Sequence, residues 1–342
     1  MNFGKAIALS TTLLLAAPGA LADPVADFYQ GKRIAMLVGS EAGGGYDAYA
    51  RLVTRHLGRF IPGNPEFVVQ NMPGGGGLRV TNNLYNVQPK DGTAMGTVQR
   101  AILTAPLLES RSTEIKYDPL KFNWLGSLNT ETGLIVVWKA SAPHRTMKDL
   151  FEKELMVGSS GPSTDFLPLF LNNVLGTKFK IIAGYKSSTD AYLAVERGEV
   201  QGRVSTGYSG DKNQLDPWMK DGKIAFLAQL STVKNPFFPD VPLILDFARN
   251  EREKQAMTLI LSAQVWGRPF LMPPGVPEDR VAAVSKAFAT MVKDPEFLAD
   301  AKKANIDIDI VTGNEIRALL QRVYATPPDI VEVVRKAIAA DK

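Results

Sequence analysis

The stretch MLVGSEAGGGYDAYARLVTRHLGRF, Met36 to Phe60, constrains the fold more than any other. Its apolar run ends at Val38, three glycines follow at Gly43 to Gly45, and a helical pattern starts near Asp47. A strand, a bare loop and a helix N-terminus, in that order, form the unit from which parallel sheets are wound. Within Asp47 to Phe60, residues Tyr49, Leu52, Val53, Leu57 and Phe60 share one helical face, and Arg51, Arg55 and Arg59 form a stripe on the other, expected to be solvated. The unit then repeats: strand FVVQN, loop MPGGGG, helical LRVTNNLYN and strand TAMGTVQ. This βαβαβ order argues an α/β fold with helices packed on a parallel sheet. A second series of units follows, with FNWLGSL, GLIVVWKA, LMVGSSG, FKIIAGY and VQGRVSTG as strands, and TDFLPLFLNNVLG and STDAYLAVERGEV as helices. KIAFLAQL reads as a further strand, STVKNPFFPDVPLI as an extended segment, and EDRVAAVSKAFATMVKDPEFLADAKKAN and GNEIRALLQRVYA as terminal helices.

The first residues, MNFGKAIALSTTLLLAAPGALADP, combine a basic Lys5, an apolar run from Ala6 to Ala17, and the small-x-small Ala20-Leu21-Ala22. They predict a signal peptide over residues 1–22, cleaved after Ala22, and therefore export to the periplasm. The alternative, a membrane anchor, needs about 20 apolar residues, and this run is shorter. With 342 residues, 45% of them apolar, the chain has material for two medium domains. It has no cysteine, so the exported protein does without disulfides. The net charge of +4 comes from basic residues spread along the chain, which predicts no nucleic-acid partner. The only two histidines, His56 and His144, are far apart; His56 flanks the apolar face of its helix and reads as a satisfied, partly buried side chain. No metal and no cofactor are expected. GxxxxGK[ST], GxSxG and GxGxxG are absent, and the SxxK match at Ser231 to Lys234 has neither SDN nor KTG beside it, so no catalytic residue is assigned.

The glycine loops remain to be explained. Gly43, Gly44 and Gly45 let backbone N–H groups approach a ligand, and the helix behind them leaves its first N–H groups unpaired. Such an end suits an anion. The expected ligand contacts in this loop are Ser40, Glu41, Gly43, Gly44, Gly45, Tyr46 and Asp47, with Asp47 organising the loop. Gly75 and Gly76 repeat the device, and the second half offers Ser159, Ser160, Gly161, Ser163, Thr164 and Asp165, with Tyr185 and Ser205 beside them. All follow strand ends, where open α/β sheets bind ligands. The plain alternative for each loop is a tight turn capping a helix.

The segments GGGYDAYAR, VVQNMPGGGG, KDGTAMGT, AYLAVERGEVQG, WMKDGKIAFLAQLS, FFPDVPLI and MPPGVPEDRV occur in the order of motifs of one family. The chain resembles the Bug-type substrate-binding receptors of tripartite tricarboxylate transporters over nearly its whole length past the leader. The resemblance implies a type II periplasmic binding fold, two lobes around a ligand cleft joined by a hinge. The lobes are expected at 23–125 plus 232–342 and at 126–231, with the C-terminal helices partly on lobe two. It also implies a monomeric receptor that captures a small organic acid or related small molecule and delivers it to a permease of one large and one small membrane subunit. A receptor feeding a signalling system and an exported α/β hydrolase are the alternatives. The chain departs from the family at SSGPSTDF, where a histidine is usual and Asp165 stands nearby, and at GYKSSTD, where Ser187 and Ser188 stand at or near glycine positions. Asp165 is expected either to repel a second carboxylate, to bind an amino or hydroxyl group, or to cap its helix.

Overall fold

The computed structural model describes residues 23–109, 113–160, 162–205 and 207–339, with the side chains of 162 and 163 left aside. The predicted leader, Gly161 and the Ser163 side chain lie outside the described residues. After a short helix α1 (Pro24–Tyr29) come β1 (Arg33–Val38), α2 (Gly45–His56), β2 (Glu66–Asn71), α3 (Leu78–Asn86), β3 (Ala94–Thr97), α4 (Ala105–Leu108) and β4 (Asn123–Ser127). The second half runs β5 (Gly133–Trp138), α5 (Met147–Glu152), β6 (Leu155–Gly158), α6 (Pro162–Leu175), β7 (Phe179–Ile182), α7 (Ser188–Glu196), β8 (Gly202–Ser205), α8 (Tyr208–Lys220) and β9 (Ile224–Leu230). The chain closes with α9 (Glu251–Val265), β10 (Pro269–Met272), α10 (Glu278–Met291), α11 (Pro295–Lys303), β11 (Val311–Thr312), α12 (Gly313–Tyr324) and α13 (Pro328–Ile338).

Two sheets result, ordered β11-β4-β10-β3-β1-β2 and β7-β6-β8-β5-β9. β1, β2 and β3 are parallel, as are β6, β7 and β8, while β10 runs antiparallel between β3 and β4. Pro269 pairs with Ser127 and Gly133 with Leu230, so both crossings between the sheets leave from the carboxyl edge of the parallel strands. The glycine loop after Val38 and the serine loop after Gly158 lie on those edges. β4 stays in the first sheet to Ser127, two residues past the expected limit at 125, so the first crossing occupies 128–132. β9 ends at Leu230, yet Leu243 still bridges to Gln229, and the first sheet is re-entered only at Pro269.

The burial pattern explains these elements. α2 buries Tyr49, Leu52 and Val53 against Met36, Val38, Phe288 and Phe297 on one face of the first sheet. The opposite face contributes Leu37, Val80 and Leu84 to a core that continues through Trp124 and Leu259 to Ile135, Val157 and Phe170 of the second half and to Val334 of α13. α9 sits inside that shared core, and α13 packs on α6 and α9. This explains why α9 shows no amphipathic period: Met257, Leu259, Ile260 and Leu261 are all buried. α8 was hidden for another reason, since Gly210 and Pro217 interrupt its pattern. The arginine stripe is exposed, as expected, and also paired: Arg51 with Asp47, Arg55 with Asp300, and Arg59, just past the end of α2, with Asp294 and Glu296.

Candidate functional site

At the first edge, Asp47 organises the loop. The carboxylate, 2% exposed, accepts from Gly43 N–H at 2.8 Å and Arg51 Nε at 2.8 Å through Oδ2, and from Asn71 Nδ2 at 2.9 Å through Oδ1. Asn71, the last residue of β2, also donates to the Ser40 carbonyl at 3.0 Å. Loop, helix and neighbouring strand are thus tied to one buried acid. Burial disfavours its charge, but the Arg51, Gly43 and Asn71 donors together outweigh burial and hold the carboxyl below its usual range. Gly43 N–H is consumed here, and Gly44 N–H makes a long 3.4 Å bond to the Glu41 carbonyl. Among the described residues, the N–H groups of Gly45, Tyr46 and Asp47 at the start of the 12-residue helix α2 donate no hydrogen bond, Gly44 providing no side-chain cap, and those of Gly45 and Tyr46 stand nearest the loop for a ligand. Ser40 is half-buried and its hydroxyl turns to the Glu41 carbonyl at 3.3 Å; the Glu41 side chain is exposed. Tyr46 spans away from the loop, donating to the Gly267 carbonyl at 3.3 Å and accepting from Arg100 N–H at 3.1 Å.

The second glycine loop stands beside the first: a Cβ on Gly39 would come within 3.6 Å of Gly77 Cα. Gly74 to Gly77 all adopt positive φ, at 131°, 57°, 63° and 94°, a run that side chains other than glycine resist. Gly75 and Gly76 are exposed, and a Cβ on Gly76 would meet only open space.

The second half is built differently. The Ser159 and Thr164 hydroxyls bond each other at 2.6 Å, and Ser160 N–H donates to Thr164 Oγ1 at 3.0 Å. Tyr185 N–H donates to the Ser159 carbonyl at 3.3 Å, while a Cβ on Gly158 would touch the Tyr185 ring at 3.3 Å. The two hydroxyls therefore brace the turn; Ser160 is the half-buried residue left beside them. Ser205, expected at the ligand, is fully buried: its hydroxyl donates to Asp211 Oδ2 at 2.6 Å and accepts from Gly207 N–H at 3.3 Å. It supports the turn into α8 and does not face the cleft as a free donor. Asp165 stands in the first turn of α6, and its Oδ1 is buried with no hydrogen-bond partner among the described residues.

Against this geometry, the model of the tripartite tricarboxylate transporter family receptors matches residues 53–332. The chain belongs to that family. A protein of Agrobacterium vitis from the intergenic region between ttuE and ttuC′ is 23% identical over 91% of this chain and 86% of its own length. Among solved structures, a TctC solute-binding protein from Polaromonas is 19% identical with a TM-score of 0.69, covering 90% of this chain and 99% of that one. MatC from Rhodopseudomonas palustris with bound malate is 18% identical with a TM-score of 0.59, covering 87% of this chain and 99% of that one. The fold is therefore that of periplasmic binding proteins, and the chain is a TctC-type solute-binding receptor.

The structure adds residues of this receptor that the sequence reading passed over. Glu131, on the first crossing, accepts from Asn129 Nδ2 at 2.9 Å and from Ser209 Oγ at 2.5 Å, and pairs with Arg268 Nη1 at 2.8 Å. The Arg268 guanidinium lies 4.6 Å from the Tyr49 ring centre and 5.5 Å from that of Tyr46. Gly267 makes the return possible, since a Cβ there would fall 1.8 Å from the Asn129 carbonyl oxygen. A signal was present in the sequence. Glu131 is the only acid between Asp118 and Asp149, and Arg268 the only charged residue between Lys254 and Glu278; a lone charge in an apolar run asks for a buried partner.

Among the described residues, one group, His56, Asp294 and Glu296, brings metal-type ligand atoms within 4.8 Å of one another. The Arg59 guanidinium lies among them, bonded to both acids and to His56 Nδ1, and fills the place of a cation. With Nδ1 accepting, His56 carries its proton on Nε2 and donates it to Asp300 at 3.1 Å. His56 is satisfied, as expected, and at 5% exposure more deeply buried than the partly buried side chain expected.

Proposed function

We propose that this receptor is exported with loss of residues 1–22, captures a small carboxylate between two lobes, and delivers it to a permease of one large and one small membrane subunit, without catalysing a reaction on it. The lobes are taken as 23–127 with most of 268–324, and 133–265 with α13 packed on it. The observation that carries the reading is the first loop. A buried acid holds the backbone so that N–H groups of Gly45 and Tyr46 remain unpaired at a helix N-terminus on the carboxyl edge of the sheet. One carboxylate of the ligand is placed there, its charge favoured by the helix end. Ser160 and the backbone around Gly161 and Ser163 receive the other end, and Gly75 and Gly76 line the approach. The malate bound to the related MatC supports the ligand class. The unpartnered Asp165 oxygen supports a hydroxyl or amino group on the ligand, because a buried acceptor without a donor costs about 1–3 kcal/mol.

Thermal-shift and calorimetric titration with mono-, di- and hydroxycarboxylates, malate among them, tests this. A true ligand at 100 times its Kd raises stability by about 2.7 kcal/mol. Gly44→Val should abolish that binding with the fold intact, since a Cβ there has ordinary contacts at 3.4 Å and 3.7 Å. A Gly44→Val protein that binds as the wild type does would place the ligand elsewhere.

A further inference from the structure

α8 belongs to the second sheet's helices, yet its first turns are held by groups from the crossings and the first half. Ser209 Oγ donates to Glu131 Oε1 at 2.5 Å and accepts from Arg268 Nη1 at 3.0 Å, and Ser209 N–H points to Glu131 Oε2 at 3.4 Å. Three residues on, Lys212 Nζ reaches Asp307 Oδ2 at 2.8 Å, and Asn213 Oδ1 accepts from Asn305 Nδ2 at 3.4 Å. The Asp307 carbonyl accepts from the Tyr49 hydroxyl at 2.7 Å, so the strip that receives α8 is itself fixed to α2. Asp309 of the same strip bonds Thr130, next to Glu131 on the crossing.

At the centre stands an ion pair with little contact to water: Glu131 is 2% and Arg268 7% exposed. Such a pair adds little net stability over apolar packing, but it punishes the loss of either partner and so specifies one arrangement of the parts it joins. Its position is what matters. A Cβ on Gly45 would come 3.0 Å from Arg268 Nη2, so the guanidinium lies against the turn of α2 that carries the free N–H donors. The same guanidinium bonds Ser209 at the start of α8. One side chain therefore touches the ligand helix of the first half and the docking helix of the second.

We propose that Arg268 and Glu131 are positioning residues for closure. They seat α8 on the first lobe and bias the receptor towards its closed form, with Lys212 on Asp307 as a second, more exposed anchor. The proposal rests on the two-lobed reading and not on the identity of the ligand.

The chain has no cysteine, so two introduced ones can be labelled without background. Arg79 at the start of α3 and Lys186 in the loop before α7 are exposed and lie in different halves. Pulsed electron double resonance between nitroxides on Arg79→Cys and Lys186→Cys reads the separation of the halves with no ligand added. The expected result is a dominant short-distance population in the parent, falling about two-fold or more in Arg268→Met and in Glu131→Ala, and largely restored in Arg268→Lys, which keeps the charge. Circular dichroism and melting identify variants that fold. Should the two pair-breaking variants not fold, Ser209→Ala leaves the pair whole and removes only the hydroxyl through which it holds α8; it should shift the distribution in the same direction. Folded variants with the parent's distance distribution overturn the proposal. A failure to bind any carboxylate in calorimetry overturns the ligand reading alone and leaves this distance measurement intact.

Discussion

The loop after β1 and the loop after β6 occupy matching places, each between a parallel strand and the helix that follows, and each is rich in small residues. They spend their hydrogen-bonding groups in opposite ways. In the first, the bracing is delegated to Asp47, Asn71 and Arg51, and the N–H groups of Gly45 and Tyr46 stay unpaired among the described residues. In the second, the hydroxyls of Ser159 and Thr164 brace each other and take up Ser160 N–H. A loop that looks rich in donors can consume them in holding its own shape. A bare glycine loop, supported from outside by one buried acid, keeps them. The two halves of the cleft should therefore contribute unequally to a bound carboxylate.

The largest expected effect follows from removing the support of the first loop. Asp47→Ala removes the acceptor of Gly43 N–H and of Arg51 Nε and one of the two acceptors of Asn71 Nδ2, at about 1–3 kcal/mol for each bond lost to the charged group. Affinity for an identified carboxylate, measured by calorimetry, should fall by about 100-fold or more, because both stability and loop geometry are lost together. Asp47→Asn keeps an oxygen acceptor and should lose about ten-fold at most. Equal affinity in Asp47→Ala and the wild type would erase the contrast between the loops.

Acid sharpens the same contrast. The donors around Asp47 hold its carboxyl below the usual range, so the folded state binds that proton less readily than the unfolded chain. Its contribution to stability is then fully present above the unfolded carboxyl value, about 4, and is lost as pH falls through the lower folded value. Denaturant titrations from about pH 6 to pH 2 should show a shallower acid limb in Asp47→Asn than in the wild type. Other depressed carboxyls, Asp300 held by His56 and Arg55 among them, titrate in both proteins and cancel in the difference. Parallel curves would mean that Asp47 is not the acid that fixes the loop.

Much of this architecture is legible from the sequence, for physical reasons that also set its limit. β1, α2, β2, α3 and β3 follow the expected order because each has one clear period and a glycine break between elements. Asp47 is legible as an organiser because an acid at a helix start has backbone donors within reach by local geometry alone. Asn71 is not, since its role depends on β2 lying beside β1, a pairing across distant residues. The burial of Ser205 is not legible for a similar reason. A serine at a strand end reads as a cleft residue until Asp211, six positions on, is folded back to take its hydroxyl. Glu131 and Arg268 stand 137 positions apart and meet only once both crossings are formed. β10 is a four-residue strand opening with proline, too short for a period to show, and it delays the return to the first sheet to Pro269.

The smaller effects belong to the second half. Thr164→Val removes the hydroxyl that holds Ser159 and Ser160 N–H, at about 1–2 kcal/mol of stability, and should weaken carboxylate binding by less than about ten-fold. Loss as large as that in Asp47→Ala would make the two loops equal partners.

Ser205→Ala is the least disruptive change of the set and tests where the cleft surface ends. The buried hydroxyl gives one bond to Asp211 and accepts one from Gly207 N–H. Asp211 keeps the Tyr192 hydroxyl at 2.7 Å after the substitution, so its charge is not stranded, and the remaining cost is one unsatisfied N–H next to the start of α8. A loss of about 1 kcal/mol in urea unfolding is expected, with affinity for carboxylate unchanged within about two-fold. The two measurements separate support from contact. A serine that touches the ligand would lose affinity with little loss of stability, whereas a serine beneath the surface does the reverse. If affinity fell ten-fold in a Ser205→Ala protein of wild-type stability, the cleft would reach deeper beside β8 than the buried turn allows, and the second half would supply a direct donor where only a brace is assigned.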